Sequence, residues 1–318
     1  MIWKSPAAAL LRLTASVLGA AALAACSSSD EPVATRQVTL MPDPAHVCDF
    51  CERLNEPAEP FQVYGDTYYV GTAMISSVLI ASDDGLVLIN GGMTQTAPQI
   101  AANIEALGFS LGDLRLILNT HAHFDHAGGI AALARATGAK VAATERGVEA
   151  LKQGRPTEDD PQRAMEDNVF PAVPQAQAVA DGDTLEVGDI TVTAHYTPAH
   201  TPGSAAWSWR SCEEELCLDV VFADSFSTRS GAGFRFTGDD DNPSRVDAFR
   251  SAVATVADLP CDVLLTPSPL SFGVKEKLAA RAEDPTVNPF VDSGACRAYA
   301  ASGAAGLEKR IAEETAEQ

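Results

Sequence analysis

The sequence predicts an α/β fold, an αβ/βα sandwich in which two β-sheets pack face to face and helices cover their outer sides. The chain has 318 residues with 46% hydrophobic content, which is enough to bury one large core. Strand-like segments before and after a central helix recur as two β-rich halves. We therefore expect a single domain over residues 46–318.

The first half, from about Phe61 to Lys152, contains strand-like runs and two helical patterns. The strand-like runs are residues 61–70 (FQVYGDTYYV), 73–81 (AMISSVLIA) and 85–90 (GLVLIN). The first helical pattern is residues 97–108 (APQIAANIEALG). Another strand, Leu114 to Leu118, leads into HAHFDH, and residues 127–138 (AGGIAALARATG) are typical of a helix. Four glycines are expected to allow close backbone approach around this motif: Gly91, Gly92, Gly128 and Gly129.

The second half is predicted to contain four strands, a helix, another strand and a terminal helix. The four strands are placed near Ala178, Ile190, Ala205 and Cys217. The helix covers residues 245–257 (RVDAFRSAVATVA), and the next strand covers 262–266 (DVLLT). Residues 154–175 between the halves are polar and proline-rich, which predicts a loop or short helices rather than a linker between domains.

One short motif narrows the chemistry more than any other part of the chain. His121, His123, Asp125 and His126 stand within six residues as HAHFDH, and only six histidines occur in the whole chain. Each of these side chains is a competent zinc ligand, and their spacing lets them converge from a tight loop at the carboxyl end of a strand. Together with His200, in the later segment AHTPGS, they predict a metallohydrolase site.

The two remaining histidines give weaker evidence for a function. His46 is expected to be an ordinary surface or core residue. His195 lies five residues before His200 in a strand-like run, so the alternative to a core role is a hydrogen bond that orients a metal ligand.

The motif and its surroundings resemble the metallo-β-lactamase superfamily, whose HxHxDH signature is matched without a gap. Further segments follow in the order seen in subclass B3, over roughly residues 45–305. They are PFQVYGDTYYVGT, LVLINGGM, ILNTHAHFDHAGG, YTPAHTPGS, VVFADS, DVLLTPSP and NPFVDSGACRAYA. The resemblance implies the sandwich fold and zinc-dependent opening of the β-lactam ring.

The resemblance also implies a ligand set. A first zinc is assigned to three histidines, His121, His123 and His200, and a second to Asp125 with His126. The remaining second-zinc ligand in the family is a histidine, but this chain has Ser268 there and no histidine after His200. A hydroxyl is a far poorer zinc ligand than imidazole. We therefore expect one tightly bound zinc and a weak or partly filled second site, with Ser268 and Asp224 as candidate contacts.

The expected mechanism follows from what one zinc does. Zinc in such a setting lowers the pKa of bound water to about 7, which gives a hydroxide nucleophile at neutral pH. Asp125 is the expected catalytic residue, which orients the nucleophile and relays its proton.

Four other positions are linked to substrate or metal by the resemblance. It places Ser225 and Ser227 near the substrate carboxylate, although two hydroxyls in a turn also suit plain turn formers. Tyr69 either lines the cleft or packs in the core. Asn90 stands where the family usually has aspartate, and its amide keeps the hydrogen-bonding capacity without the charge.

The amino-terminal residues are typical of a bacterial lipoprotein. Residues 1–25 form the expected signal peptide, and the segment from Leu23 to Cys26 matches a lipobox, so Cys26 becomes the lipidated amino terminus. Residues 26–45 are expected to be a flexible tether to a domain in the periplasm, anchored to the outer membrane. The alternative is an ordinary secretory signal that is cut beside an incidental cysteine.

Six cysteines remain after Cys26, an even number that suits an oxidising compartment. The resemblance implies two disulfides and leaves a CxxC pair. The pairs are Cys261 with Cys296, Cys212 with Cys217, and Cys48 with Cys51. A structural disulfide is the favoured account of the CxxC pair, with a redox motif or half of a zinc site as alternatives.

Charge excludes one class of partner. The formal net charge is −21, and removing Lys4 and Arg12 with the signal peptide makes it −23, because residues 1–25 contain no acidic residue. Such a surface repels nucleic acid. The expected partners are a small-molecule β-lactam and a membrane that is reached through the lipid anchor alone. The sequence gives no sign of the oligomeric state.

Two other functions stay open at this stage. The first is hydrolysis of a different ester, lactone or thioester by the same fold, which the Ser268 and Asn90 departures favour. The second is a non-catalytic lipoprotein that binds zinc.

Overall fold

A computed structural model describes residues 38–240 and 242–316. The predicted signal peptide, Cys26 and most of the predicted tether lie outside these residues and stay predictions. The last part of the tether lies against the domain: Val38 and Leu40 pack on its apolar core, and Asp43 forms a 2.9 Å ion pair with Arg135. The domain boundary predicted at residue 46 therefore falls inside a segment that contacts the domain.

The first sheet has seven strands, which are neighbours in the order of the chain. They are β1 (Phe61–Tyr64), β2 (Thr67–Tyr69), β3 (Val78–Ser82), β4 (Gly85–Ile89), β5 (Leu114–Leu118), β6 (Lys140–Thr144) and β7 (Gln177–Val179). Pairing is antiparallel from β1 to β4 and parallel from β4 to β7. The strand predicted over residues 61–70 is a hairpin, because the chain turns at Gly65 with a φ of 48°.

The second sheet has five strands. They are β8 (Thr184–Val187), β9 (Ile190–Tyr196), β10 (Ala205–Glu213), β11 (Leu216–Phe222) and β12 (Val263–Leu265), arranged β12-β11-β10-β9-β8. One prediction was wrong. The strand near Ala178 was placed in the second half, but β7 pairs with β6 in the first sheet. A local hydrophobic pattern indicates that a strand exists, but it does not indicate which other strand it pairs with.

Eight α-helices surround the sheets in the described residues. They are α1 (Cys51–Leu54), α2 (Ala97–Ala106), α3 (Phe124–Ala127), α4 (Ile130–Thr137), α5 (Glu145–Gln153), α6 (Val246–Asp258), α7 (Val274–Glu283) and α8 (Ala295–Ala316). The helix predicted over residues 127–138 is divided at Gly128 and Gly129. There the chain passes close to the turn after β4: a Cβ on Gly91 would lie 2.7 Å from the backbone nitrogen of Ile130. The expected close approach is present.

Two apolar layers hold the sandwich together. Alternate residues of β4 point to opposite sides of the sheet, so Val87 and Ile89 face the second sheet while Leu86 and Leu88 face α2 and α4. Trp207 on β10 is fully buried opposite the first sheet. Helices on the outer sides of two packed sheets confirm the predicted αβ/βα sandwich. In the described part of the chain, we find no helix long and apolar enough to cross a bilayer.

The six cysteines of the domain form three disulfides. They are Cys48–Cys51 before and within α1, Cys212–Cys217 across the end of the β10–β11 hairpin, and Cys261–Cys296, which joins the start of β12 to α8. These are the pairings that the sequence predicted. The CxxC pair is therefore a disulfide in this structure, in agreement with the favoured account.

We predict that the Cys261–Cys296 disulfide contributes more stability than the Cys212–Cys217 disulfide. The first bridges residues 35 apart and the second residues only 5 apart. Removing the first therefore gives the unfolded chain a larger gain in conformational entropy. The double variant Cys261→Ala/Cys296→Ala should lose about 3–4 kcal/mol of unfolding free energy, against about 2 kcal/mol for Cys212→Ala/Cys217→Ala. Urea denaturation measures both losses, and the reverse order would contradict this ranking.

Candidate metal centre

Loops at one edge of the sandwich bring all five predicted ligand residues together. The chain leaves β5, passes through the motif and enters α3, while the loop from β9 to β10 supplies His200. The ligand atoms of His121, His123 and His200 lie within 4.8 Å of one another, and those of His121, Asp125 and His126 do so as well. The four imidazoles are buried. Two adjoining three-residue clusters that share His121 therefore exist, and the assignment of their side chains to two zinc ions stays a prediction.

Each of the three histidines of the first cluster donates a hydrogen bond through one ring nitrogen. His121 Nδ1 donates to Asp224 Oδ1 (2.7 Å), His123 Nε2 to Asp160 Oδ1 (3.1 Å), and His200 Nδ1 to the Ser227 carbonyl (2.8 Å). Carboxylates and carbonyls only accept, so these partners fix the tautomers. The lone pairs are left on Nε2 of His121, Nδ1 of His123 and Nε2 of His200.

The electrostatics of the imidazoles suit a cation. Burial lowers the pKa of His121 well below its ordinary value, and the neighbouring histidines lower it further. Burial, with His123, lowers the pKa of His200 to about 4. Burial acts against charge on His123 too, but Asp160 outweighs it and raises that pKa. His121 and His200 are thus neutral near pH 7, with lone pairs available to a metal.

The second cluster pairs a carboxylate with an imidazole. Asp125 Oδ2 lies 3.3 Å from His126 Nε2. Burial alone would raise the pKa of Asp125, but His126 and the other imidazoles hold it far below its ordinary range, so the carboxylate is ionised. His126 Nδ1 is buried without a hydrogen-bond partner. Nitrogen donors with one carboxylate are a donor set that zinc accepts, so the residues present fit the metal.

Asp224 lies against one histidine of the first cluster. It follows β11 and accepts from the ring nitrogen of His121 that carries the proton, on the side of the ring away from the lone pair. In this structure Asp224 thus orients His121, and the expectation that it contacts a second metal stays a prediction. Tyr299 donates a 3.0 Å hydrogen bond to its carbonyl and ties this loop to α8.

Three serines of the predicted site line the same cleft. The hydroxyl of Ser225 accepts from the Ser227 amide, and that of Ser227 accepts from the Arg229 amide, so both are turn formers at the edge of the site. Ser268 is half-buried, and its carbonyl accepts from Thr266 Oγ1 at 2.8 Å. The structure thus brings Ser268 to the cleft.

Asn90 connects β4 to the loop of the site through hydrogen bonds of an uncharged side chain. It is a non-glycine residue with a φ of 64°, a region that asparagine tolerates better than most residues. Its Oδ1 accepts from the Thr120 amide (2.9 Å) and from Asn119 Nδ2 (3.1 Å), and its Nδ2 donates to Thr120 Oγ1 (3.0 Å). It thereby clamps the end of β4 to the two residues before His121.

Three other residues that the sequence suggested as possible site residues lie away from the cleft. His195 Nε2 is 2.7 Å from Ser208 Oγ between neighbouring strands. His46 stacks on Phe124 with ring centroids 4.3 Å apart. Tyr69 is buried in the core against Phe61, so it packs rather than lining the cleft.

The cleft above the metal cluster has a volume of about 430 Å³. One wall comes from the residue 154–176 loop, which contains turns but neither helix nor strand, as predicted. That loop supplies two residues that sequence reasoning missed. Asp160 orients His123, and Gln162 Nε2 lies 3.3 Å from His200 Nε2. Asp160 and His123 are 37 positions apart, and no local pattern marks their contact.

Comparison with known proteins decides the family. The metallo-beta-lactamase superfamily model matches residues 70–214. The structure is similar to MEM-A1, a subclass B3 metallo-β-lactamase from a soil metagenome library, at 43% identity with a TM-score of 0.80, covering 83% of this chain and 100% of that chain. The chain belongs to the metallo-β-lactamase superfamily.

Other relatives widen the range of substrates in the superfamily. The metallo-β-lactamase SMB-1, solved with 2-mercaptoethanesulfonate, is 42% identical with a TM-score of 0.78, covering 82% of this chain and 99% of that chain. The hydroxyacylglutathione hydrolase of Rhodospirillum rubrum is 25% identical over 174 residues, 53% of this chain and 57% of that protein. This chain thus spans about half of the length of that curated relative. It is a hydrolase of the metallo-β-lactamase fold, and the family implies zinc at the three-histidine site.

We predict that Asp160 sets the zinc affinity through His123. Asp160→Ala removes the acceptor that orients the imidazole and raises its basicity, so zinc affinity should fall about 10- to 100-fold. Competition with a chromogenic chelator measures this. Asp159→Ala is the matched control, because Asp159 is exposed and pairs with Arg146 on the surface. Equal affinities in the two variants would show that Asp160 does not act on the metal ligand.

Proposed function

We propose that the protein is a zinc-dependent hydrolase that opens the β-lactam ring of antibiotics, exported to the periplasm and anchored by a lipid on Cys26. One observation carries the catalytic part: a cluster of three histidines, with Asp125 and His126 beside it, at the base of an open cleft, in a chain whose B3 relatives match it over nearly their whole length. The export part is supported by the amino-terminal sequence.

The residues of the site supply the steps around the metal. When bound, zinc supplies Lewis acidity and lowers the pKa of water to about 7. Asp125 is ionised in the cleft, so it can accept a hydrogen bond from the attacking water and pass its proton to the departing ring nitrogen. Asp160, Asp224 and the Ser227 carbonyl hold the three imidazoles in position.

The second metal site is proposed to be the weaker one. Asp125 and His126 offer two strong donors, and the third position is the neutral hydroxyl of Ser268. We propose that one zinc binds tightly at the three histidines and that a second binds weakly or in part. Slower ring opening, rather than a different reaction, is the expected consequence.

A thioesterase activity is the second candidate. It is favoured by the hydroxyacylglutathione hydrolase relatives, which are 25% to 36% identical over parts of the chain. Both candidate activities use the same metal cluster, and they differ in the substrate bond that is hydrolysed.

A substrate panel separates the two candidates. Purified protein is given a carbapenem, a penicillin, an acyl lactone and an S-acylglutathione, with and without a chelator. We expect β-lactam hydrolysis that chelator abolishes and added zinc restores. Thioester turnover with intact β-lactams would replace the proposed function with the second candidate, and hydrolysis that survives complete metal removal would reject both.

We predict that Ser268→His strengthens the second metal site. An added imidazole at this position should raise the zinc content from about one toward two per chain and increase β-lactam turnover. Elemental analysis after dialysis measures the content. Ser268→Ala is the control and should change neither quantity. If the histidine variant keeps the zinc content of the wild type, Ser268 does not occupy the missing ligand position.

A further inference from the structure

We propose that Cys48 and Cys51, once a dithiol has reduced their disulfide, form a zinc site together with His46. This site is separate from the three-histidine cluster and uses sulfur ligands that the cluster does not contain. The inference goes beyond the proposed function, because it concerns metal binding by a different set of residues and requires no hydrolysis.

The three proposed ligands already lie close together. A ring nitrogen of His46 and the sulfur atoms of Cys48 and Cys51 lie within 4.8 Å of one another. In a tetrahedral site with Zn–S bonds of about 2.3 Å, two sulfurs are about 3.8 Å apart, so small side-chain movements suffice once the disulfide opens. Among the described residues, the other two disulfide pairs belong to no group of three possible ligands. The CxxC pair is thus distinguished by the imidazole beside it.

His46 is held by contacts that do not use its ring nitrogens. Its amide donates to Gln95 Oε1 at 3.0 Å, and its carbonyl accepts from Gln95 Nε2 at 3.1 Å. Its ring stacks on Phe124. Nε2 of this ring is buried and has no hydrogen-bond partner in the described part of the chain. An unpaired buried polar atom costs free energy, and a metal bond to the imidazole would offset that cost.

Thiol–disulfide exchange supplies the two ligand thiolates. Cys48 is half-buried and Cys51 is buried, so a thiolate of the external dithiol attacks the sulfur of Cys48. A mixed disulfide forms, and Cys51 leaves with the electron pair of the broken bond. The second thiolate of the reductant then displaces Cys48 and closes the reductant's own disulfide. Two electrons pass from the dithiol to the cysteines, and its two protons go to solvent when zinc holds both thiolates.

The donor set selects the metal. Thiolates and imidazoles suit zinc, and two cysteines with one histidine leave the fourth tetrahedral position to water. Magnesium and calcium prefer oxygen ligands, which this group does not offer. A cavity of about 390 Å³ lies beside His46 and is lined also by Asp167, so an ion has a route with a carboxylate along it.

The position of the group gives the metal a structural consequence. Phe50 lies between the two cysteines in the chain and lines the cleft. Phe124, on which His46 stacks, lies between His123 and Asp125 of the motif. Zinc at the new site would therefore keep the segment beside the cleft closed after reduction, because a metal link replaces the covalent one.

The test uses cobalt(II) as a spectroscopic substitute for zinc. Purified, zinc-loaded protein is reduced with a phosphine, which adds no competing thiol, and is then titrated with cobalt(II). Neither group of ligands at the candidate metal centre contains a sulfur atom, so a thiolate-to-cobalt charge-transfer band reports the new site. We expect this band, with one additional metal ion per chain, in the reduced protein and not in the oxidised protein.

Variants identify the ligands. Cys48→Ser/Cys51→Ser should lose the band. Cys212→Ser/Cys217→Ser is the matched control and should keep it, because this variant removes another short-range disulfide that has no imidazole beside it. His46→Phe keeps an aromatic ring in the stack but removes the ligand nitrogen. It should weaken cobalt binding by more than about tenfold, the lower limit for losing a group that only orients a ligand.

Three results would overturn the inference. They are the absence of the band from the reduced wild-type protein, its persistence in the variant without Cys48 and Cys51, and an unchanged cobalt affinity in His46→Phe. Circular dichroism of each form checks the fold, and reduced against oxidised wild-type protein decides the inference even where a variant does not fold. No hydrolysis is measured, so a failure of the proposed function leaves this result unaffected.

Discussion

The site depends on the cost of burying four imidazoles side by side. Their ring centroids lie between 4.4 and 5.0 Å apart for the contacting pairs, and protonating several of them in a buried cluster would place like charges together out of water. Burial accordingly lowers the pKa of His121 and His200, so these two rings are neutral near pH 7 and offer their lone pairs inward. A divalent cation is the partner that such an arrangement of donors suits.

Orientation of the rings comes from parts of the chain that have no ligands of their own. Asp224 follows a strand of the second sheet, Asp160 lies in the long loop after α5, and the Ser227 carbonyl belongs to a turn. Each accepts a hydrogen bond from the outer nitrogen of one imidazole. The packing of the two sheets thus brings hydrogen-bond acceptors from different parts of the chain next to the histidines, which come from two loops.

The two positions that the resemblance marks as departures from the family, Asn90 and Ser268, are compensated by their surroundings to different degrees. Asn90 keeps three hydrogen bonds that link β4 to the residues before His121, so the missing charge does not open the structure. Ser268 has no such compensation, because among the described residues His121 is the one other carboxylate or imidazole side chain that clusters with Asp125 and His126. The group that contains Asp125 and His126 shares His121 with the group of three histidines.

The sequence by itself determined which side chains cluster at the candidate metal centre, the disulfide pairs and most strands and helices. His121, His123, Asp125 and His126 are close in the chain, so short-range geometry already forces them together, and hydrophobic periodicity is likewise a local property. Only the tertiary structure decided that β7 joins the first sheet, that Asp224 and Asp160 stand behind the histidines, and that His46 stacks on Phe124. Those contacts join residues tens to hundreds of positions apart, and their formation depends on the packing of two sheets rather than on any pattern within a segment.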